Sequence, residues 1–278
     1  MIPSFICKIY LKILQKYSLF NLPRKEIFIV LGASRSGTSL TMKLLKESGI
    51  FVGHIKDLKR PDKDNPRGYF EYNEEHKLSA KLIKQADSGK EEILTENFSL
   101  NTKKLTKKLQ RFITRIRMNK FLIKIHNQAN DSWALKPHFI TFPLWQAHIP
   151  NFKLIIVFRH PVITAHSNIK YKKFKRSFQA YISIWEKIYR ELIYYYSRYP
   201  SIVISYDDLI NSRKRDQVLQ KLINFTGKGN IDNLKKVITP ELDRSTKEIN
   251  KLIEIYPLPQ STREVLETLE KLKGLDAK

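Results

Sequence analysis

Glycine, hydroxyl and arginine residues are concentrated in one short segment of the chain, residues 32–39 (GASRSGTS). The two glycines have the Gly-x4-Gly spacing of a loop that binds phosphate through its backbone N–H groups. The residue after the second glycine is Thr38, where a loop for nucleoside triphosphates has lysine, and the cation stands earlier, at Arg35. This order favours a single terminal phosphate or phosphosulfate group over a triphosphate with Mg²⁺. The predicted anion-binding residues are Ser34, Arg35, Ser36, Gly37, Thr38 and Ser39.

A second candidate anion site is the segment Arg159-His160-Pro161, which has Ser167 eight residues after the arginine. Arg159 follows a short apolar run that is typical of a strand buried on both faces. In an open sheet of parallel strands, ligands bind at the carboxyl ends of the strands, which is where Arg159 is expected. Ser167 falls about two turns into the next predicted helix, where we expect it to share a phosphate with Arg159.

Short β-branched runs alternate with helical patterns along the chain, and these elements must position the two anion-binding segments. The predicted strands are residues 27–31, 50–52, 153–158 and 202–205. The predicted helices include residues 74–84, 103–118 and 207–225, and Asp207 is the predicted N-cap of the last. The alternation predicts an α/β fold, a three-layer sandwich with a central parallel sheet of about five strands flanked by helices, as in P-loop nucleoside triphosphatases.

The first residues of the chain have a different pattern, in which apolar residues recur every three or four positions and lysines occupy another face. We therefore predict a basic amphipathic helix over residues 1–24 and a single domain over residues 25–278. No apolar run reaches the length of about 18 residues that a transmembrane helix needs. The one cysteine, Cys7, cannot form an internal disulfide, which favours a reducing, cytoplasmic location.

The two anion-binding segments together resemble the sulfotransferase family, whose donor is 3′-phosphoadenosine 5′-phosphosulfate. Three more segments look like bacterial members of that family and occur in the same order: NPRGYFE at residues 65–71, WALKPH at 133–138 and SYDDL at 205–209. The resemblance implies an enzyme that transfers a sulfuryl group from this donor to a hydroxyl or amine of a glycan, lipid or small metabolite, without a metal ion. It also implies that the glycine-bounded loop holds the 5′-phosphosulfate and that Arg159 and Ser167 hold the 3′-phosphate.

The resemblance further implies catalytic roles for four residues. Negative charge accumulates on the bridging oxygen as the sulfuryl group leaves the phosphate, and Arg35 is expected to stabilise that charge. Lys136 is expected to assist at the sulfuryl group. The acceptor must lose a proton as it attacks, and two candidates for the base remain open. His138 is similar to the histidine in the Lys-x-His pattern of cytosolic sulfotransferases, whereas Glu71 is similar to a glutamate that other branches use.

The chain is strongly basic, with 51 Lys and Arg against 27 Asp and Glu and a formal net charge of +24. Two basic clusters, residues 101–124 and 170–176, lie outside the predicted donor site. They indicate contact with an anionic glycan or lipid acceptor, or peripheral contact with the inner face of an anionic membrane, and we expect no nucleic acid partner. Two alternatives stay open: a nucleotide-dependent kinase of the same fold, and a non-enzymatic binder of nucleic acid or anionic membrane.

Overall fold

The computed structural model describes residues 18–62, 65, 68–85, 105–170, 176–239 and 246–275. Within these ranges, the side chains of residues 82–85, 105–112 and 246–250 are not described. Of the helix predicted over residues 1–24, the part up to residue 17 lies outside the described residues, and the remainder contains a 3-10 turn, Leu19–Asn21. Residues 101–104 and 171–175 of the two basic clusters also lie outside them.

Four parallel strands form the described sheet: β1 (Glu26–Leu31), β2 (Ser132–Leu135), β3 (Phe152–Phe158) and β4 (Ser201–Ser205). Their order is β2-β1-β3-β4, so that β1 and β3 are neighbours in the middle of the sheet. Leu31, the last residue of β1, pairs with Ile156 near the end of β3. The segments that follow these two strands therefore leave the sheet at the same edge, where ligands of open α/β folds bind.

Helices follow the strands and connect them. The described α-helices, in chain order, are α1 (Thr38–Glu47), α2 (Asn73–Gln85), α3 (Leu105–Gln128), α4 (Phe142–Gln146), α5 (Pro161–Lys170), α6 (Phe178–Tyr196), α7 (Tyr206–Ile210), α8 (Arg215–Thr226), α9 (Ile231–Val237), α10 (Thr246–Ile255) and α11 (Gln260–Lys273). None of the helices in the described part of the chain combines the length and the apolar character that a bilayer-spanning segment needs.

Both faces of the sheet are covered. Along β1, Ile27, Ile29 and Leu31 pack into one hydrophobic cluster, and Phe28 and Val30 pack into another. This alternation arises because successive side chains of a strand point to opposite faces of its sheet. Helices α3, α4, α6 and α11 cover the first face, and α1, α7, α8 and α9 cover the second. The predicted three-layer α/β sandwich is confirmed.

The edge of the sheet differs from the prediction. Residues 50–52, predicted as a strand, contribute a single bridge between Phe51 and Trp133 in β2. Gly49 and Gly53, with φ of +85° and +109°, enclose this segment, so that the extended backbone stops at both ends. The strand missed by the prediction is β2, whose sequence SWAL lacks the β-branched run that marks the other predicted strands. The described sheet thus has four strands and one bridge instead of about five strands.

Helix boundaries differ as well. The helix predicted over residues 103–118 continues to Gln128, because Phe121, Leu122 and Ile125 carry its buried face further. The helical region predicted over residues 207–225 is divided into α7 and α8.

Candidate active site

The glycine-bounded loop connects β1 to α1 and is tightly packed against its surroundings. At Gly32, an added Cβ would lie 2.3 Å from the carbonyl oxygen of Val157 in β3. Gly37 precedes α1 with φ of +98°, and an added Cβ there would lie 2.1 Å from the ring of Tyr206. A side chain at either position would push the loop away from its neighbours. Packing therefore requires both glycines of the predicted spacing.

The two predicted anion-binding segments meet at Arg35 and Ser167. Arg35 Nε donates a hydrogen bond to Ser167 Oγ at 3.2 Å. Asn168, the next residue of α5, donates from Nδ2 to the carbonyl oxygen of Ser34 at 3.3 Å. Arg35 has φ of +69°, in the left-handed region that is uncommon outside glycine. Helix α5 is thus docked on the loop at the point where the loop backbone takes this conformation.

Two hydroxyl groups support the loop from within the protein. Ser36 is fully buried, and its Oγ donates to the carbonyl oxygen of Ala33 at 2.7 Å. The hydroxyl of Tyr189 in α6 accepts from the Ala33 N–H at 3.2 Å and donates to the carbonyl oxygen of Val157 at 2.7 Å. Burial raises the pKa of Tyr189, so that this hydroxyl keeps its proton. The side chain of Ser36, a predicted anion-binding residue, is therefore directed into the loop itself.

Three other predicted site residues, Ser39, Glu71 and Lys136, form what we call the lysine–glutamate cluster. Lys136 directly follows β2, and its Nζ lies 2.9 Å from Glu71 Oε1. The same Nζ donates to Ser39 Oγ at 3.1 Å, in the first turn of α1. Ser39 Oγ also accepts from Asn65 Nδ2 at 3.3 Å. Segments that are far apart in the sequence are thus joined at one end of the loop.

The charges in the lysine–glutamate cluster depend on one another. Burial acts to raise the pKa of Glu71, but Lys136 and, to a smaller extent, Lys59 outweigh it, so that this pKa is lowered. Lys59 Nζ lies 4.0 Å from Glu71 Oε2. Burial lowers the pKa of Lys136, whose side chain is only 8% exposed, while Glu71 opposes that shift. Glu71 is therefore an ionised carboxylate at neutral pH.

His138, the other candidate base, lies at a chain turn two residues after Lys136. Its side chain is exposed. Its carbonyl oxygen accepts from the Thr141 N–H at 2.9 Å and from Thr141 Oγ1 at 3.0 Å, which begins the 3-10 turn Phe139–Thr141. Glu71, the first candidate, contacts Lys136 directly.

Arg159 leaves the end of β3 and pairs with a carboxylate. Its Nε lies 3.4 Å from Asp207 Oδ1, and its guanidinium carbon lies 4.8 Å from the centre of the Tyr206 ring. Asp207 Oδ2 accepts from the backbone N–H of His160 at 2.9 Å. Because the Tyr206 ring also packs against Gly37, it connects the glycine-bounded loop with the second anion-binding segment.

The prediction that Asp207 caps the following helix is wrong. Ser205 is the cap of α7, since its Oγ accepts from the Asp208 N–H at 3.2 Å. The chain passes from β4 directly into α7, so Asp207 lies in the first turn and its carboxylate reaches the end of β3. Burial raises the pKa of Asp207, while the His160 N–H and Arg159 act to lower it.

A comparison with known protein families identifies the family of the chain. A model described as the sulfotransferase family matches residues 27–228. The chain belongs to the sulfotransferase family. The match includes the glycine-bounded loop, the lysine–glutamate cluster and Arg159, and it makes the protein a transferase of sulfuryl groups. It therefore favours that interpretation over the kinase and over the non-enzymatic binder.

Solved structures of sulfotransferases resemble this sulfotransferase weakly. The sulfotransferase domain of the olefin synthase of Synechococcus PCC 7002 is 16% identical, with a TM-score of 0.49 over 89% of this chain and 95% of that chain. Sulfotransferase STF1 of Mycobacterium tuberculosis H37Rv is 12% identical, with a TM-score of 0.47 over 84% and 75%. No curated protein matches the chain in sequence. The family assignment therefore depends on the family model.

Several residues that support the candidate site were not predicted, namely Tyr189, Asn168, Lys59 and Asn65. Asn168 adjoins the predicted Ser167, and this adjacency is the only signal that points to it. Tyr189 lies in a helix with an apolar face, where a core position is the ordinary interpretation. Within the described ranges, no group of three or more His, Cys, Asp or Glu residues is arranged to hold a metal ion.

Proposed function

We propose that this sulfotransferase uses 3′-phosphoadenosine 5′-phosphosulfate as its donor and transfers the sulfuryl group to a hydroxyl or amine of a glycan, lipid or small metabolite. The observation that carries the proposal is the hydrogen bond between Arg35 and Ser167. It joins two segments that were each expected to bind an anion. A nucleotide with a 5′-phosphosulfate and a separate 3′-phosphate needs two such anion sites at one edge of the sheet.

The loop and the N-terminus of α1 bind the 5′-phosphosulfate in this proposal. Backbone N–H groups at a helix N-terminus favour an anion, and Thr38 is the first residue of α1. The side chains of Ser34 and Ser39, in the same loop, contribute to this anion site, and Ser36 supports the loop from within. Arg159 and Ser167 bind the 3′-phosphate, and Asp207 holds Arg159 in place before the donor arrives.

During transfer, the bond between sulfur and the bridging phosphate oxygen breaks and a bond between sulfur and the acceptor oxygen or nitrogen forms. Arg35 stabilises the charge that develops on the bridging oxygen, which leaves as part of adenosine 3′,5′-bisphosphate. Lys136 stabilises the sulfuryl oxygens, and Glu71 accepts the proton of the acceptor. What supports Glu71 over His138 is that its carboxylate is ionised and lies 2.9 Å from Lys136 Nζ.

An anionic acceptor is supported by two basic residues at the candidate site. Lys59 lies beside Glu71, and the side chain of Lys170 is exposed at the end of α5, three residues after Ser167. A glycan or lipid with its own negative charge would be attracted to such residues. The acceptor would then gain affinity from charge and reactivity from Glu71.

Binding of the product nucleotide tests the donor assignment without an acceptor. Titration of adenosine 3′,5′-bisphosphate in a calorimeter should show saturable binding to the full chain. Arg35→Ala and Arg159→Ala should each weaken this binding by about tenfold or more, since a hydrogen bond to a charged group contributes roughly 1.5–3 kcal/mol.

Arg24→Ala is the matched control for this titration. Arg24 is exposed and precedes β1, so it lies at the edge of the sheet opposite to the loop. The affinity of the Arg24→Ala variant for the nucleotide should equal that of the wild type. Absence of binding to the wild-type protein contradicts the proposed donor, and equal affinities of all four proteins contradict the assignment of the two arginines.

A further inference from the structure

Glu75, in the first turn of α2, is a buried carboxylate that the proposed mechanism does not use. It is only 2% exposed, whereas its neighbours Glu74 and His76 are exposed. A carboxylate removed from water costs free energy unless other groups pair with it. The contacts that hold Glu75 therefore indicate what it does for the rest of the site.

These contacts tie Glu75 to the segment that follows Lys136. Glu75 Oε1 accepts a hydrogen bond from Ser79 Oγ at 2.6 Å, and Ser79 Oγ in turn lies 3.0 Å from Thr141 Oγ1. Thr141 Oγ1 donates to the carbonyl oxygen of His138 at 3.0 Å. The backbone N–H of His138 faces the Glu75 carboxylate and acts to lower its pKa. Helix α2 is thus tied to the backbone of His138, which lies two residues after Lys136.

This network is enclosed and can accommodate either protonation state of the acid. Ser79 and Thr141 are buried, and Trp145 Nε1 donates to Ser79 Oγ at 3.1 Å. An ionised Glu75 accepts a hydrogen bond from the Ser79 hydroxyl. A neutral Glu75 donates to Ser79, whose own proton then turns to Thr141 Oγ1. The segment after Lys136 is therefore held to α2 in both states.

Electrostatics connect Glu75 with the lysine–glutamate cluster. Burial raises the pKa of Glu75 to about 7, and the charge of Glu71 adds to this rise, while Ser79, the His138 N–H and Lys136 oppose it. In the opposite direction, the charge of Glu75 helps Glu71 to keep the buried Lys136 protonated. Removal of the Glu75 carboxylate would thus affect both the place and the charge of Lys136.

We propose that Glu75 is a positioning residue for sulfuryl transfer, which holds the segment after β2 so that the Lys136 ammonium faces the sulfuryl group of the donor beside Glu71. This inference rests on the proposed function, because it needs Lys136 to contact the sulfuryl group. Glu75 itself touches neither donor nor acceptor.

The test compares the affinities of two nucleotides, the phosphosulfate donor and adenosine 3′,5′-bisphosphate, which differ by the sulfuryl group. Glu75→Gln keeps the volume of the side chain and the hydrogen-bonding pattern of the neutral acid, with one donor and one acceptor, and removes the charge. Calorimetry should show bisphosphate affinity within about twofold of wild type and donor affinity weakened about threefold to tenfold, as for other coupled polar groups. We call the ratio of donor affinity to bisphosphate affinity the donor preference. Lys136→Met, which removes the ammonium itself, should reduce this preference at least as much as Glu75→Gln. A general disturbance of the fold would weaken both nucleotides together.

Glu74→Gln is the matched control, since it makes the same change on the adjacent exposed residue and should leave both affinities at the wild-type values. Ser79→Ala cuts the network without removing the charge, and it should reduce the donor preference in a folded protein even where Glu75→Gln fails to fold. An unchanged ratio of affinities in the folded variants overturns the inference, as does a ratio that Lys136→Met leaves unchanged. Failure of the wild type to bind either nucleotide contradicts the proposed function instead.

Discussion

The two halves of the candidate site are held in place by different means. On the side proposed to bind the donor, the loop backbone is closely packed: Gly32 meets the carbonyl of Val157, and Gly37 meets the ring of Tyr206. On the acceptor side, the lysine–glutamate cluster and Glu75 depend on buried charged side chains that compensate one another. The affinity for adenosine 3′,5′-bisphosphate should therefore respond to changes in the shape of the loop, and sulfuryl transfer should respond to changes of charge in the cluster.

Changes on the two sides should also affect different measured quantities, bisphosphate affinity and turnover. A change in the loop alters the surface on which the nucleotide lies, so that its effect appears in affinity. A change in the lysine–glutamate cluster leaves the loop backbone in place and alters the groups near the sulfuryl group. Its effect therefore appears in turnover and in the affinity for the phosphosulfate donor, while the affinity for adenosine 3′,5′-bisphosphate is kept. Variants on the two sides can thus be compared within one protein.

The largest effect is expected for Glu71→Gln, which removes the proposed base and keeps its size. We expect turnover to fall by about 10² to 10⁴, the usual contribution of a general base, with bisphosphate affinity within about twofold of wild type. Turnover is measured as transfer of labelled sulfuryl from the donor to a panel of glycans and lipids.

His138→Asn is the counterpart of this variant, because it removes the other candidate base from an exposed position. We expect it to lose much less turnover than Glu71→Gln. The opposite order, with His138→Asn inactive and Glu71→Gln active, would transfer the role of base to His138 and separate Glu71 from the chemistry.

The donor side was largely predictable from the sequence because its geometry is local. The spacing of Gly32 and Gly37, the apolar strand before them and the arginine after the next apolar strand are all visible in short windows. The three-layer fold could be predicted for the same reason. The contact of Arg35 with Ser167 could not be predicted in this way, because the eight-residue spacing pairs Ser167 with Arg159.

The acceptor side was only partly predictable, because its contacts are formed between distant segments. Glu71 and Lys136 were named through a resemblance, but nothing in the sequence joins them as a pair. Glu75 stands between Glu74 and His76 at the start of an amphipathic helix, where a charge is usually solvated. Its burial results from the packing of α2 against the turn at Thr141, which no local pattern reports.

A second prediction tests the shape of the donor side by two glycine substitutions. Gly37 and Gly49 have similar left-handed backbones, with φ of +98° and +85°. Only Gly37 has a neighbour that a Cβ would strike, the Tyr206 ring, whereas nothing lies within 4 Å of a Cβ at Gly49. Gly37→Ala should therefore combine backbone strain with overpacking, about 1–2 and 1–3 kcal/mol, and weaken nucleotide binding about tenfold or more.

Gly49→Ala should show the backbone strain alone. Its free energy of unfolding, measured by urea denaturation, should fall by about 1–2 kcal/mol, and its affinity for adenosine 3′,5′-bisphosphate should equal that of the wild type. Equal losses of affinity in the two variants would mean that the contact of the loop with Tyr206 does not shape the donor site.

The smallest effect is expected for Tyr189→Phe, which removes one hydroxyl beneath the loop. Ala33 N–H and the carbonyl of Val157 lose this partner in a buried place, at a cost of about 1–3 kcal/mol in the free energy of unfolding. The ring still fills its space among Trp185 and Phe158, so the core itself is kept. Nucleotide affinity should weaken by only about threefold, since the glycine contacts continue to shape the loop.

Tyr194→Phe provides the comparison for this variant. Tyr194 lies in the same helix with 48% of its surface exposed, so that loss of its hydroxyl should leave urea denaturation and nucleotide affinity unchanged. If Tyr189→Phe also behaves as the wild type, the hydroxyl beneath the loop contributes nothing, and backbone packing alone holds the donor side. If it instead loses nucleotide affinity as strongly as Gly37→Ala, the donor side depends on a buried polar group as much as the acceptor side does. In that case the contrast between shape and charge no longer separates the two halves of the site.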